Sequence, residues 1–430
     1  VDSFTPVGRY AHSSALIRNK LVFFGGINDK GFCLNEVFYL DLSRSFNIVT
    51  PPWIDLTLNS RIPFKSCWGT VSPNDKEQII YLFGGIMFNA TDQDFFVSVV
   101  HSFNLNSLSW NIPNVKGITP KRRRNIQSVI DNYGKMYIFG GYADNDLGLE
   151  TSLDYNDMVI LNTVELSWEN YIINSPKHRD LYTATLLTSG VIVYIGGFEY
   201  GLEFADIKKI ILYDTNSLTC VVENRVGHSA VLAPDGKIII YGGRKDAMIF
   251  IRVSPDIFVI NMETEQFELT VPPVTSNIGK VPPSLTCHTA NQVDNYMIVA
   301  FGNITQPNSD PLPLPNPDIY IMDTRNFTWV NSFEITSANV TTNSKPSITT
   351  QSSPTASIIA ANYESKFVTM KIIVASIGGI LGLVIIIVSG FLIFRWNVKR
   401  KALPPRHINE EHTLPGDIVE HDRSSYILAY

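Results

Sequence analysis

Apolar runs closed by glycine recur along the first three quarters of the chain. They are Leu21–Gly26, Ile80–Gly85, Lys135–Gly141, Val191–Gly197 and Lys237–Gly243. Met297–Asn303 is a sixth copy, in which Asn303 stands where a second glycine is expected. Runs of this length, rich in β-branched and aromatic residues, predict strands buried on both faces. A glycine pair after such a strand lets the backbone adopt conformations closed to other residues and approach a neighbour closely. The pairs are Gly25–Gly26, Gly84–Gly85, Gly140–Gly141, Gly196–Gly197 and Gly242–Gly243, with Gly302 alone in the sixth copy. Their first members are spaced by 59, 56, 56, 46 and 60 residues, a period that marks a repeat architecture.

Other marks keep the same period. A shorter strand precedes each pair, entered by Arg9-x-x-His12, Arg122-x-x-Asn125, Arg179-x-x-Tyr182 and Arg225-x-x-His228. Cys67 and His288 take the His12 slot in units two and six, without the arginine. After each pair comes an alternating strand ending in Asp or Asn: Val37–Asp41, His101–Asn104, Met158–Asn162, Ile210–Asp214, Ile257–Asn261 and Ile319–Asp323. Six positions further on stands a large apolar residue, Trp110, Trp168, Phe267 or Trp329, with Phe46 one position early in the first unit and Cys220 in the fourth.

Four strands per unit, a Gly-Gly after the second and a Trp in the fourth resemble the kelch repeat. The resemblance implies an all-β, six-bladed kelch-type β-propeller over residues 1–334, each blade a four-stranded antiparallel sheet around a central channel. The sixth unit has its own Trp-bearing strand, so ring closure is expected to join whole blades.

After residue 334 the composition changes. Between Ile335 and Ser357, 12 of 23 residues are Ser or Thr, which predicts a disordered stalk over 335–371. Residues 372–394 carry no charge and are long enough to cross a bilayer as one helix. Five basic residues follow within the flank (Arg395, Lys399, Arg400, Lys401, Arg406) against Lys366 and Lys371 before it, which puts the C-terminus in the cytoplasm. The expectation is a single-pass type I protein of the plasma membrane, its propeller extracellular and its tail, 395–430, short and disordered. If the head is secreted, a leader precedes Val1. Four Asn-x-Ser/Thr acceptors, Asn89, Asn303, Asn326 and Asn339, lie on the outer side. Gly378 and Gly382 form a GxxxG face in the span that suits helix–helix self-association.

Composition adds mainly exclusions. A formal net charge of −6 gives no reason to expect nucleic acid as a partner. Four scattered cysteines, Cys33, Cys67, Cys220 and Cys287, do not form a disulfide framework, and their spacing does not suit zinc. Cys220, in a core aromatic slot, is expected buried and unpaired. His12, His228 and His288 share one repeat position and read as structural, while Lys121–Arg124 reads as a solvated loop with Arg122 as the repeat arginine. No catalytic, cofactor or metal residues can be assigned. The expected function is therefore non-enzymatic: a cell-surface adhesion or receptor-like head that recognises a protein or glycan. The alternatives are a galactose-oxidase-like copper-radical oxidase, a class the resemblance also includes, and a surface scaffold with no ligand of its own.

Overall fold

The computed structural model describes residues 4–60, 63–89, 98–171, 178–199, 203–206, 211–212, 224–246, 250–261, 268–270, 272, 280–306 and 313–335. The chain divides into two units, and all of these residues belong to the first. The stalk at 335–371 beyond Ile335, the span at 372–394 with Gly378 and Gly382, and the tail lie outside the described residues, as do Asn339 and Cys220. Among the described residues no helix is long and apolar enough to cross a membrane.

The fold is an all-β propeller. Five complete four-stranded blades are found among the described residues, not six. In the first, Ser13–Ile17, Lys20–Phe24, Val37–Asp41 and Trp53–Asp55 follow one another from the axis outward, and every pairing is antiparallel. The second, third, fifth and sixth repeat units build the same sheet, starting from Thr70–Asn74, Val129–Ile130, Ser229–Leu232 and Thr289–Val293. The fourth unit contributes three strands, Thr183–Leu186, Ile192–Ile195 and Ile211–Leu212. The place of its outer strand, around Cys220, lies outside the described residues, so the expected four-by-six pattern is not met there.

Burial on both faces explains the all-apolar runs. In Lys20–Phe24, Leu21 and Phe23 pack toward the sixth unit while Val22 and Phe24 pack toward the second. The second unit repeats the alternation, with Ile80 and Leu82 facing the first unit, Tyr81 and Phe83 the third. The core is thus a set of slabs between neighbouring sheets, and strand period 2 feeds two slabs at once. The repeat tryptophans wedge these slabs. Trp110 meets Phe24 at 5.8 Å, Trp168 meets Phe83 at 5.9 Å and Trp329 meets Tyr241 at 5.6 Å, each an aromatic of the preceding unit that stands just before its glycine pair.

Two repeat assignments need correction. In the first unit Leu40 pairs with Trp53, as Phe103 pairs with Trp110, so Trp53 and not Phe46 is the repeat tryptophan. Phe46 instead lies in the longer turn before it, where Phe46–Asn47 pairs with Ser332–Phe333 and clasps the two ends of the propeller together. In the sixth unit the lost glycine is the first, not the second. Phe301 has φ 57° beside Gly25 at 57°, and Gly302 has φ 90° beside Gly26 at 99°. The first-glycine place is crowded elsewhere: a Cβ on Gly140 would lie 2.3 Å from the Arg179 carbonyl oxygen.

Trp329 is 2% exposed, so replacing it by Ala is expected to cost about 3–5 kcal/mol. Urea unfolding of W329A measures this; a change within about 0.5 kcal/mol, typical of surface sites, is incompatible with a wedge between sheets.

Candidate functional site

Six repeat units meet at the axis through their backbones. Trp68 N–H donates to Ala11 O (2.9 Å), Asn125 N–H to Trp68 O (3.3 Å) and Leu181 N–H to Asn125 O (2.8 Å). Gly227 N–H donates to Leu181 O (3.3 Å), Cys287 N–H to Gly227 O (2.7 Å), and Ala11 N–H to Cys287 O (3.0 Å) closes the circle. All six residues have positive φ, between 52° and 64°. This ring gives the true register of the repeat. The residue after each member is His12, Gly69, Ile126, Tyr182, His228 or His288, so Gly69 rather than Cys67 holds the histidine slot of unit two. Two positions before the ring stand Arg9, Arg123, Arg179 and Arg225, so the repeat arginine of unit three is Arg123, not Arg122.

These arginines are buried and hold the glycine turns. Arg9, Arg123 and Arg225 donate from Nη1 to the carbonyls of Gly25 (3.0 Å), Gly140 (3.0 Å) and Gly242 (2.9 Å). Arg9 also pairs with Glu36, Arg123 with Asp157 at 2.5 and 3.1 Å, and Arg179 with Glu199. Burial lowers the Arg179 pKa, and Glu199 pulls it back up. The second half of the basic run at 121–124 is therefore not solvated: Arg123 and Arg124 are each 1% exposed, while Lys121 is exposed. Arg122 reaches back to Ser98 O and Gly85 O of unit two, which lacks a repeat arginine, and Arg124 pairs with Asp144 and Asp146.

Beneath the ring lies a cavity of about 240 Å³. No Asp, Glu, Lys or Arg lines it; its polar wall is made of hydroxyls, amides and imidazoles. Each histidine bonds a hydroxyl of the preceding unit: His12 Nε2 with Thr289 (2.9 Å), His228 Nε2 with Thr183 (3.2 Å) and His288 Nε2 with Ser229 (2.7 Å). They belong to three neighbouring units, the fifth, sixth and first, and stitch each to the unit before it. Burial lowers the pKa of all three, that of His288 to about 3. Among the described residues no group of three or more His, Cys, Asp or Glu could hold a metal.

Above the ring, the loops that follow the glycine turns surround the channel mouth. One side is apolar: Ala11, Ile27, Cys67 and Ile86 cluster with Tyr10, Cys33, Trp68, Phe88 and Leu147. Tyr10 and Trp68 meet edge to face at 6.2 Å. The other side is charged, with Arg124 on Asp144 and Asp146, Asn125 donating to Asp180 at 3.1 Å, and Arg244 donating to Asp246 O at 2.7 Å. Burial raises the Cys287 thiol pKa, and Arg244 opposes the rise. The sequence reading missed this two-sided mouth, whose residues are contiguous only in the folded ring.

It also missed a disulfide: Cys33 and Cys67 are joined, while Cys287 is free. Of the glycan acceptors, Asn303 has no exposed surface, Asn326 is exposed and Asn89 is half-buried. Asn303 is therefore closed to a glycan in the folded propeller.

A family model described as the KLHDC2/KLHL20/DRC7 Kelch-repeats domain matches residues 1–196. Kelch domain-containing protein 1 of Mus musculus is 27% identical over 285 residues, 59% of this chain and 66% of that protein. Kelch domain-containing protein 3 of Homo sapiens is 31% identical over 140 residues, 32% of this chain and 33% of that protein. Host cell factor 1 of Homo sapiens is 24% identical over 215 residues, 44% of this chain and 10% of that protein. The chain thus spans two thirds or less of the length of each of these relatives.

The buried imidazoles make stability depend on pH. In the unfolded chain a histidine takes up a proton as pH falls through about 6.5, while the folded sites stay neutral, so stability is present above that pH and is lost below it. Each histidine is expected to cost about 2 kcal/mol between pH 7 and pH 5. Denaturation of H288Q should show a shallower acid slope than the parent protein; an unchanged slope contradicts the assignment.

Proposed function

This chain is a kelch-repeat β-propeller protein, and from that premise we propose that it binds a protein partner at its channel mouth, as the outward-facing head of a single-pass cell-surface protein. The two-sided mouth carries the reading. An aromatic pair, Tyr10 and Trp68, lies within an apolar cluster beside fixed charges, the mixture that anchors a partner side chain and orients it. The ring and the arginine clamps hold the loop bases rigid, so little ordering cost falls on binding.

Sequence features favour the cell surface: the uncharged stretch 372–394, the basic residues after it and the Ser/Thr-rich segment before it. The Cys33–Cys67 bond fits an oxidising compartment, where disulfides persist. A copper-radical oxidase finds less support, because each of the three channel histidines has its Nε2 bonded to a separate hydroxyl.

Two measurements test the reading on intact cells. A tag before residue 4 should be stained without permeabilisation and a C-terminal tag only with it; the reverse pattern ends the surface assignment. In a surface crosslinking comparison, W68A should lose a partner captured by the parent protein. V49S, on the exposed turn of the first unit that pairs with Ser332–Phe333, should keep it. A truncated hot-spot aromatic costs about 2 kcal/mol or more, roughly thirtyfold in affinity. Equal capture by both variants moves the site away from the mouth.

A further inference from the structure

The Cys33–Cys67 disulfide crosses a unit boundary at the mouth. Its Cα atoms are 5.5 Å apart across 34 positions of sequence. Cys33 lies in the loop after the first glycine pair, and Cys67 ends the short strand Lys65–Cys67 that leads into the second unit. The backbones around the bond already run together: Ser66 N–H donates to Leu34 O (2.9 Å), Leu34 N–H to Gly26 O (2.8 Å), and Ile27 bridges both Tyr10 and Cys33. Cys67 is 3% exposed inside the apolar cluster, directly before ring member Trp68. Cys33 is the more open of the two residues. Beyond it the loop tip closes on itself, with Lys30 and Phe32 N–H both donating to Asn28 Oδ1 at 3.0 Å and Phe32 61% exposed.

We propose that this disulfide is a redox-operated latch on the loop 27–34. Closed, it holds the loop by Ile27 and Cys33 in the apolar side of the mouth, with Phe32 exposed at the tip. Opened, it leaves the loop anchored at its base by the Leu34 bonds and the Ile27–Tyr10 pairing, with its tip held only by its own turn bonds onto Asn28. The opening reagent is a dithiol. One of its thiolates attacks the Cys33 sulfur, the Cys33–Cys67 bond breaks and a mixed disulfide forms, with Cys67 leaving as the thiolate. The second thiol of the reductant then displaces Cys33. Two electrons and two protons end on Cys33 and Cys67, and the reductant ends as its own disulfide. The consequence for a partner rests on the docking function proposed above; the latch itself does not.

The test uses the full-length protein. A non-reducing tryptic map should contain fragment 31–44 linked to fragment 66–76. Brief trypsin pulses on the native protein then read cleavage after Lys30, with and without dithiothreitol. Reduction should raise that rate roughly tenfold, as expected for releasing a local restraint, with cleavage after Lys116 unchanged. C33S should cleave at the fast rate from the start and ignore dithiothreitol. If C33S does not fold, hydrogen exchange of 27–34 in the reduced parent protein, reversed by reoxidation with diamide, gives the same reading. Free thiols at both positions in protein from an oxidising medium, or a Lys30 rate and a loop exchange rate that reduction does not move, overturn the latch. A working latch with no change in partner capture would count against the docking site alone.

Discussion

The axial circle of six backbone hydrogen bonds is the constraint from which the other features follow. Each unit gives one N–H and receives one at its C=O, so no unit can shift along the axis without breaking two bonds. Five of the six residues are not glycine yet hold positive φ, a conformation that costs on the order of 1–2 kcal/mol each. That cost persists only because the surroundings over-determine it. Directly beyond the ring, Ser128 N–H donates to Thr70 Oγ1 at 2.9 Å and Ala184 N–H to Gln127 Oε1 at 3.1 Å. The inner strand edges, which have no further strand to pair with, are thereby joined side chain to backbone across unit boundaries.

The arginine run shows how the sheets above this ring are kept in place. A buried guanidinium is costly unless every side is engaged. Arg122, Arg123 and Arg124 are consecutive, yet each serves a different part of the fold. Arg122 turns back to the second unit, Arg123 clamps the glycine turn of its own unit and lies 3.9 Å from the Tyr155 ring, and Arg124 braces the loop beginning at Tyr142. A charge run that looks like a solvated loop in one dimension holds three separate struts in three.

That difference explains what could be read from the sequence and what could not. The repeat, the strands and the doubly buried runs were legible because strand period and glycine turns are local properties. The register within the repeat was less so. Matching Arg122 to Asn125 relied on a polar residue in a slot that takes Ile126, and the repeat tryptophan Trp53 was hidden by the longer first-unit turn that clasps Ser332–Phe333. Phe301 could not be recognised in a glycine place because its positive φ depends on its setting, next to Asp318 O and Trp53. The disulfide left no local trace, since 34 positions separate its cysteines and only the docking of one unit on the next brings them together.

The division between channel and mouth is where the chemistry separates structure from function. In the channel, the axial carbonyls accept within the ring. Each neutral histidine gives its Nε2 to a hydroxyl of the preceding unit while its Nδ1 has no partner among the described residues, so the contacts made there serve the fold. At the mouth the balance reverses. Phe32, on the loop after the first glycine pair, stands 61% exposed, and the Tyr10–Trp68 cluster lies near ion pairs of Arg124 with Asp144 and Asp146. The docking proposed above would take that apolar surface out of water. The loops of the mouth leave from turns that buried arginines clamp, so the same docking would meet a surface already shaped before a partner arrives.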